Sequence, residues 1–144
     1  MPNQAYDLDF YGWANDQASL LRAGTLALAD MENIAEEIES MGRGEKRELV
    51  NRLTILLLHL LKWKFQRRLR GASWEASIKI PRLQIVDHLA DNPSLKSKLA
   101  QAIAAAYRVA VVEAAAETGL ADSDFPAASP WGFDEMMKSD FWPQ

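Results

Sequence analysis

The stretch LTILLLHLLKWKFQRRLRG, residues 53–71, constrains the fold more than any other part of the sequence. Apolar residues occupy nearly every face of the helix that this spacing predicts, and a helix of that kind lies buried at the centre of a protein. We therefore predict a central, buried helix over about residues 45–69. One seam of this helix carries Leu49, Leu53, Leu56, Leu60 and Trp63, and its other faces carry Ile55, Leu57, Leu58 and Leu61.

The rest of the sequence also has helical spacing, and no segment of useful length alternates with the period of a strand. Residues 122–144 are rich in proline and aromatic residues, whereas disordered tails are poor in aromatics, so this segment is expected to pack, with a short helix near residues 133–138. The sequence predicts an all-α fold, a compact bundle of four to five main helices with this C-terminal aromatic segment packed on it. A chain of 144 residues is long enough for one core, which predicts a single domain over residues 1–144.

The first predicted helix runs from about Asp9 to Arg22. Gly24 ends it, because glycine readily adopts the left-handed conformation that closes a helix, and Thr25 is placed to cap the next helix. The predicted core residues of this first helix are Phe10, Trp13, Leu20 and Leu21.

A second helix is predicted over residues 26–41, with one apolar stripe, and Gly42 is expected to end it. The linker at residues 42–44, Gly-Arg-Gly, is very short. The central helix is therefore expected to return antiparallel to the second helix. The stripe of the second helix consists of Ala27, Met31, Ile34, Ile38 and Met41.

Two further helices are predicted in the second half of the chain. Ser73 is the expected N-cap of the first of them, and Pro81 inside it predicts a kink or a division into two short helices. Asn92 and Pro93 indicate a stop and a restart. The last long helix then covers residues 94–118 and ends before a glycine.

Composition excludes several classes of site. The chain has no cysteine, which removes disulfides, cysteine-ligated metals and thiol nucleophiles. The N-terminus has no signal-peptide pattern, and no uninterrupted apolar run approaches the roughly 20 residues that cross a bilayer. The formal net charge of −4 disfavours a protein that binds phosphate backbone. We therefore expect a soluble, cytoplasmic protein without a membrane span.

A polar stripe crosses the central helix. Arg52, His59, Lys62 and Gln66 follow one another at steps of seven, three and four residues, which places them on one helical face. Polar groups on a buried helix need partners, because an unpaired buried charge is costly or shifts its pKa until it is neutral. The sequence therefore predicts that another element supplies charged partners to this face.

The acidic residues of the second helix are the predicted partners, since the antiparallel turn would place Glu36 opposite Arg52. One hypothesis is a polar pocket between helices two and three, in which His59 carries a proton, Glu36 is its charge partner and Arg52 clamps an anion. The alternative is a buried salt-bridge network that fixes helix register. The full candidate set is Glu32, Glu36, Glu39, Arg52, His59, Lys62, Gln66, Trp74 and Arg82.

No metal or cofactor is predicted. Helical bundles that bind two metal ions use Glu-x-x-His pairs, which place a carboxylate and an imidazole on one helical face. Leu56 and Ile85 stand three residues before the two histidines, His59 and His88. Neither histidine therefore belongs to such a pair.

The basic stretch KWKFQRRLRG, residues 62–71, interleaves aromatic and cationic residues, as some nucleic-acid-binding segments do. Trp63 and Phe65 lie about 200° apart on a helix, so they cannot form one stacking platform. Cations near a helix C-terminus also stabilise the helix dipole. Nucleic acid is therefore not the expected partner.

The sequence also resembles a known family along nearly its whole length. The motifs that carry the resemblance are YDLDFYGWANDQASLLRAG, LADMENIAEEIESMGRGEKRELVNRL, LLLHLLKWKFQ, SWEASI, NPSL, AYRVA and FPAASPWGFDEM. On these motifs the chain resembles a bacterial family of unknown function, domain-of-unknown-function family number 29. The resemblance implies an α-helical protein and no assigned activity.

The sequence favours a non-catalytic binding or protein-interaction module over an enzyme. The alanine-rich last helix carries a flat apolar face that would suit another protein or a second copy of this chain, or else the core of the same domain. The alternative function is an enzyme or small-ligand-binding protein that uses the polar pocket, with a pH dependence that disappears in His59→Gln. The flat face is formed by Ala102, Ala105, Ala106, Val109, Val112 and Ala116.

Overall fold

One helix of 35 residues dominates the computed structural model, which describes residues 4–144. Helices cover most of these residues, and no strand occurs among them. The prediction of an all-α fold is therefore confirmed. In chain order the helices are α1 Gln4–Leu8, α2 Phe10–Arg22, α3 Met31–Phe65, α4 Ala72–Asp91, α5 Leu99–Thr118 and α6 Phe133–Met137.

Helix α3 runs without interruption through residues 42–44, so the predicted antiparallel turn at this point is wrong. A glycine inside a helix costs only about 1 kcal/mol relative to alanine, and the helix-forming residues on either side offset that cost. Arg43, which stands between the two glycines, pairs along the helix surface with Glu36 at 2.8 Å and with Glu39 at 3.9 Å. The second and third predicted helices are therefore one helix.

Several predicted boundaries are confirmed. Gly24 and Gly119, which follow α2 and α5, both adopt the left-handed conformation, with φ angles of 73° and 77°. Asp9 caps α2, because its side chain accepts a hydrogen bond from the Gly12 N–H at 3.0 Å.

Helix α4 continues through Pro81, so the predicted division into two short helices is wrong.

Other boundaries differ from the prediction by two to five residues. Residues 26–28 form a 3₁₀ turn in place of the start of a helix, and α3 begins at Met31. The N-cap of α4 is Gly71, so Ser73 lies in the first turn instead of capping it. Helix α3 ends at Phe65, and Gln66 after it has φ and ψ angles of −131° and 63°, outside the helical region. A second 3₁₀ turn, Arg67–Leu69, follows. A third 3₁₀ segment, Pro93–Lys98, precedes α5, which begins at Leu99.

Contacts divide the chain into two units, Met1–Gly44 and Glu45–Gln144. In the first unit the indole N–H of Trp13 donates to the Asp30 carboxylate at 3.0 Å, and the Gln17 side chain accepts from the Asp30 backbone N–H at 2.6 Å. Trp13 is buried, as predicted. The single-domain prediction stays a prediction.

Two of the four core residues predicted for α2, Phe10 and Leu21, are exposed. Met31, Ile38 and Met41 of the predicted apolar stripe, which lies on α3, are exposed as well. A segment of about 44 residues has too little interior to bury this much apolar surface. The core predictions for Phe10 and Leu21 are therefore wrong, and an apolar stripe remains on the outside of the first unit.

The second unit has its core around the C-terminal part of α3, which confirms the predicted central helix. Six leucines of this helix have no exposed surface, and they pack among apolar side chains of α4, α5 and α6. The six leucines are Leu49, Leu53, Leu56, Leu57, Leu60 and Leu61, and their neighbours include Ile78, Ile85, Ala106, Ala110 and Met136.

The C-terminal segment packs on this core, as its aromatic residues predicted. The Trp63 and Trp142 ring centres lie 4.7 Å apart, and the Phe65 and Phe125 ring centres lie 5.0 Å apart. Three side chains also donate hydrogen bonds to backbone carbonyls of the segment. These bonds run from Tyr107 Oη to Pro126 at 2.7 Å, from Arg70 Nη2 to Pro143 at 3.0 Å, and from Arg82 to Met136 at 2.7 Å and to Phe141 at 2.8 Å.

Candidate functional site

The polar pocket predicted between helices two and three does not form, because those two predicted helices are one continuous helix, α3. Glu36, the predicted partner of His59, pairs with Arg43 at an exposed position. Contact of Glu32, Glu36 and Glu39 with the polar stripe would need a turn at residues 42–44, and α3 has no turn there.

Arg52 joins two helices of the second unit. Its guanidinium pairs with Glu48, one turn earlier on α3, at 2.7 Å, and it donates to the side-chain oxygen of Gln84 on α4 at 2.9 Å. About a third of its side chain is exposed. Arg52 therefore has two partners that hold it at the α3–α4 contact, and these partners support the structural alternative for this residue.

Lys62 and Trp74 of the predicted set do come together. The Lys62 ammonium lies 3.5 Å from the Glu117 carboxylate of α5 and 4.9 Å from the centre of the Trp74 ring of α4. His59 lies one turn before Lys62 on α3, and the charges of Lys62 and Glu117 both act on its pKa. We call these four residues, His59, Lys62, Trp74 and Glu117, the His59 cluster.

The surroundings of His59 in this cluster disfavour protonation of its imidazole. Burial lowers the pKa of His59 below its ordinary value, the Lys62 charge lowers this pKa further, and the Glu117 charge opposes both effects. The Lys62 side chain is only 16% exposed, so its charge depends on Glu117 and on the face of Trp74 for stabilisation. The cluster therefore combines an ion pair that links α3 to α5 with an imidazole that resists protonation.

We expect the stability of the protein to fall as the pH drops below 6.5, in part because of His59. The pKa of His59 is lowered in the folded state from its ordinary value of 6.5, so below this pH the unfolded chain binds the proton more readily. Each unit of pKa difference between the two states contributes about 1.4 kcal/mol. Urea denaturation at a series of pH values should show this loss in the wild type and a smaller loss in His59→Gln.

Two matched variants test the origin of the lowered His59 pKa by NMR titration. Lys62→Met removes a charge that lowers this pKa, so we expect the pKa to rise. Glu117→Gln removes a charge that raises it, so we expect the pKa to fall further. Shifts in the same direction for both variants would contradict the geometry of the cluster.

Gln66 and Arg82, the remaining members of the predicted set, make other contacts. Gln66 follows the end of α3 and lines a depression of about 420 Å³ with Lys64, Arg67 and Arg68. Arg82 is buried under the C-terminal segment, and its guanidinium lies 5.5 Å from the centre of the Trp142 ring.

An apolar groove runs along the outside of α5 in the second unit. Val109 and Val112 are 48% and 58% exposed, and Ala105 continues the same stripe one turn earlier. Phe125 and Pro126 of the C-terminal segment form the facing wall. The space between them measures about 990 Å³. We call this feature the α5 groove.

The flat face predicted on the last helix therefore has two parts. Ala102 and Ala106 are buried and belong to the core. The exposed part follows steps of four, three and four residues, which is the spacing of one helical face. It consists of Ala105, Val109, Val112 and Ala116.

By length and composition, one helical stretch of the described chain, Pro93–Thr118, is apolar enough to cross a membrane. Of its most apolar window, 28% is buried. The core helix of a soluble protein can meet the same criterion, and α5 also carries Arg108, Glu113 and Glu117. Charged side chains are costly inside a bilayer, so length and composition alone do not make this stretch a membrane span.

Some site residues were missed because only helix packing brings them into place. Glu117 and Gln84 reach α3 from other helices, and no local spacing in the sequence relates them to Lys62 or Arg52. Phe125 stands in a proline-rich segment whose aromatic content was the only signal that it packs. Among residues 4–144, no three His, Asp or Glu side chains are grouped so that they could hold a metal ion.

The fold and these surfaces define an all-α protein whose second unit carries an apolar groove. Over residues 5–142 the sequence matches the family described as Domain of unknown function DUF29. The match covers nearly the whole chain, so the protein belongs to this family, as its motifs predicted. No curated protein and no solved structure matches the sequence.

Proposed function

We propose that the protein is a non-catalytic interaction module and that the α5 groove binds an apolar segment of a partner protein. The observation that carries this proposal is the exposure of Val109 and Val112 opposite Phe125 and Pro126. Contiguous apolar surface of this kind on a soluble protein commonly marks an interaction site. A concave apolar surface is a place where a partner can bury side chains from water.

The shape of the groove suits a helix. The exposed stripe on α5 repeats at steps of four and three residues, so a partner helix can set its side chains between those of Val109 and Val112. The space of about 990 Å³ is large enough to take several side chains of a peptide segment.

The charged residues of the groove favour a protein over a lipid. Arg108 and Asp122 both line it, so the groove offers one cation and one anion beside its apolar floor. Protein interfaces surround an apolar centre with polar groups that find partners. Lipid tails would leave both charges without partners, which is costly.

Site-specific photo-crosslinking tests this proposal. A photoreactive amino acid replaces Val112 in one variant and Leu83, an exposed residue of α4, in the control, and both are produced in the cells that naturally make the protein. We expect the Val112 variant to capture a partner segment that the Leu83 control does not. The crosslinked peptide, identified by mass spectrometry, would then be synthesised and its affinity measured.

The affinity measurement uses Val112→Asp against Leu83→Asp. We expect Val112→Asp to weaken binding of the synthetic peptide about a hundredfold, because a buried unpaired carboxylate costs several kcal/mol and each 1.4 kcal/mol is a factor of ten. Both side chains are exposed, so the stability of both variants should stay within about 0.5 kcal/mol of the wild type. Equal binding by the two variants would rule out the α5 groove as the site.

A second candidate is a ligand-binding or catalytic role for the His59 cluster, which is favoured by an imidazole of lowered pKa beside an ion pair. Native mass spectrometry of protein purified gently from its own cells separates the two candidates. An added polypeptide mass supports the interaction module. An added small-molecule mass that is lost in His59→Gln supports the second candidate.

A further inference from the structure

The first unit carries an apolar stripe that the described chain leaves uncovered. Met31, Ile38 and Met41 are 54%, 63% and 71% exposed, and Ala35 is exposed between them. Their positions place them on one face of α3 over about three helical turns, or roughly 15 Å. Apolar side chains with this spacing are typical of a helix that packs against another helix.

A neighbouring face of this part of α3 already has partners within the first unit. Glu37 accepts a hydrogen bond from the Tyr6 hydroxyl of α1, and Asp30, which precedes α3, accepts one from the Trp13 indole of α2. Helices α1 and α2 therefore contact the face that carries Glu37. Ile38 lies about 100° around the helix from Glu37, and its side chain stays exposed beside this contact.

A row of carboxylates borders the uncovered stripe. Glu32, Glu36 and Glu39 are all exposed, and their positions place them side by side on the neighbouring face of α3. In the described part of this unit, the cation that pairs with this row is Arg43, and its ion pairs with Glu36 and Glu39 are solvent-exposed. Exposed pairs of this kind are weak, so the row keeps most of its capacity to attract cations.

The acidic character extends over the whole first unit. Residues 1–44 contain eight acidic and two basic residues, a net charge of −6, whereas residues 45–144 contain twelve acidic and fourteen basic residues, a net charge of +2. A charge of this size attracts cationic partners and speeds their association. The first unit therefore combines exposed apolar side chains with a strongly negative field.

We propose that this surface of α3, formed by Met31, Ala35, Ile38, Met41 and the row Glu32, Glu36, Glu39, binds a basic amphipathic helix of a partner protein. The partner sets an apolar stripe against Ile38 and places lysine or arginine against the carboxylates. Methionines suit this role because their flexible side chains adapt to different partner surfaces. We call this surface the acidic stripe.

The charge decides between this partner and two others. A second copy that used the same surface would bring two units of charge −6 together, and the repulsion opposes that contact. The surface of an anionic membrane repels the same carboxylates. A basic helix satisfies both the apolar and the acidic part of the surface. The acidic stripe and the α5 groove are formed by different residues, so the tests of the two proposals are independent.

Fluorescence anisotropy with two labelled synthetic peptides tests the proposal on the full chain. Both peptides carry leucines at heptad positions over about three heptads, and one has lysines and the other glutamates at the flanking positions. We expect the lysine peptide to bind in the micromolar range and the glutamate peptide at least about a hundredfold more weakly. Raising the ionic strength from about 0.05 to about 0.5 M should weaken binding of the lysine peptide.

Three variants locate the site. Ile38→Asp should weaken binding of the lysine peptide at least about tenfold, and the triple substitution Glu32→Gln, Glu36→Gln and Glu39→Gln should weaken it by about the same factor and reduce its salt dependence. Leu83→Asp, at an exposed position of α4, should bind as the wild type does. Circular dichroism of each variant checks that it remains folded.

Four results would overturn the proposal. The first is equal affinity for the two peptides, and the second is unchanged binding by Ile38→Asp. The third is a dimer of the chain in sedimentation that Ile38→Asp abolishes, since a second copy would then cover the stripe. The fourth is binding to anionic phosphatidylglycerol vesicles that Ile38→Asp abolishes, which would assign the stripe to lipid.

Discussion

Replacing Arg82 with methionine should lower the free energy of unfolding by about 3–6 kcal/mol, because the two charged hydrogen bonds it donates are each worth about 1.5–3 kcal/mol. In the folded chain, Arg82 Nε donates to the Met136 carbonyl at 2.7 Å and Nη2 donates to the Phe141 carbonyl at 2.8 Å. Methionine fills similar space but leaves both carbonyls without this donor. The contact of the guanidinium with the Trp142 ring, at 5.5 Å, is lost as well.

The measurement is urea denaturation followed by circular dichroism, with tryptophan fluorescence as a second probe of the C-terminal segment. Arg82→Lys keeps the charge but cannot span both carbonyls, so we expect it to recover less than half of the loss. Arg108→Met, at an exposed position of α5, is the matched control and should change stability by no more than about 0.5 kcal/mol. A loss below about 1 kcal/mol in Arg82→Met would show that other contacts hold the segment.

Replacing Leu57 with alanine should cost about 2–5 kcal/mol, because a fully buried leucine loses its apolar contacts and leaves a cavity. Leu57 lies in the C-terminal part of α3 and has no exposed surface. Ile55 lies two residues earlier on the same helix and is 39% exposed, so Ile55→Ala should cost clearly less, about 1 kcal/mol. Urea denaturation of the two variants measures the difference, and equal losses would contradict the burial of this helix.

The helices of the second unit were largely predictable because their signals are strong and local. The apolar residues between Leu53 and Trp63 cover most faces of a helix, and the structure buries all of them except Ile55. The end of α5 followed from Gly119, whose left-handed conformation is available to glycine at little cost. The aromatic content of the C-terminal segment indicated packing, and its rings do contact the core.

The candidate site was less predictable, because it depended on one turn. The two glycines around Arg43 predict a reversal of the chain, but glycine only permits a turn and does not impose one. Arg43, between the two glycines, pairs with Glu36 and Glu39 of the preceding turns, and these ion pairs favour a continuous helix. Once the turn is absent, the partners inferred for Arg52 and His59 have to be found on other helices.

The sequence by itself determined the helical class, the burial of the C-terminal part of α3 and the helix ends at Gly24 and Gly119. These properties depend on residues near one another in the chain, through the helical period and the conformational freedom of glycine. Only the tertiary structure decided that α3 continues through residues 42–44 and that Ile38 stays uncovered. It also decided that Glu117 lies beside Lys62, because contacts between helices depend on packing that no local pattern records.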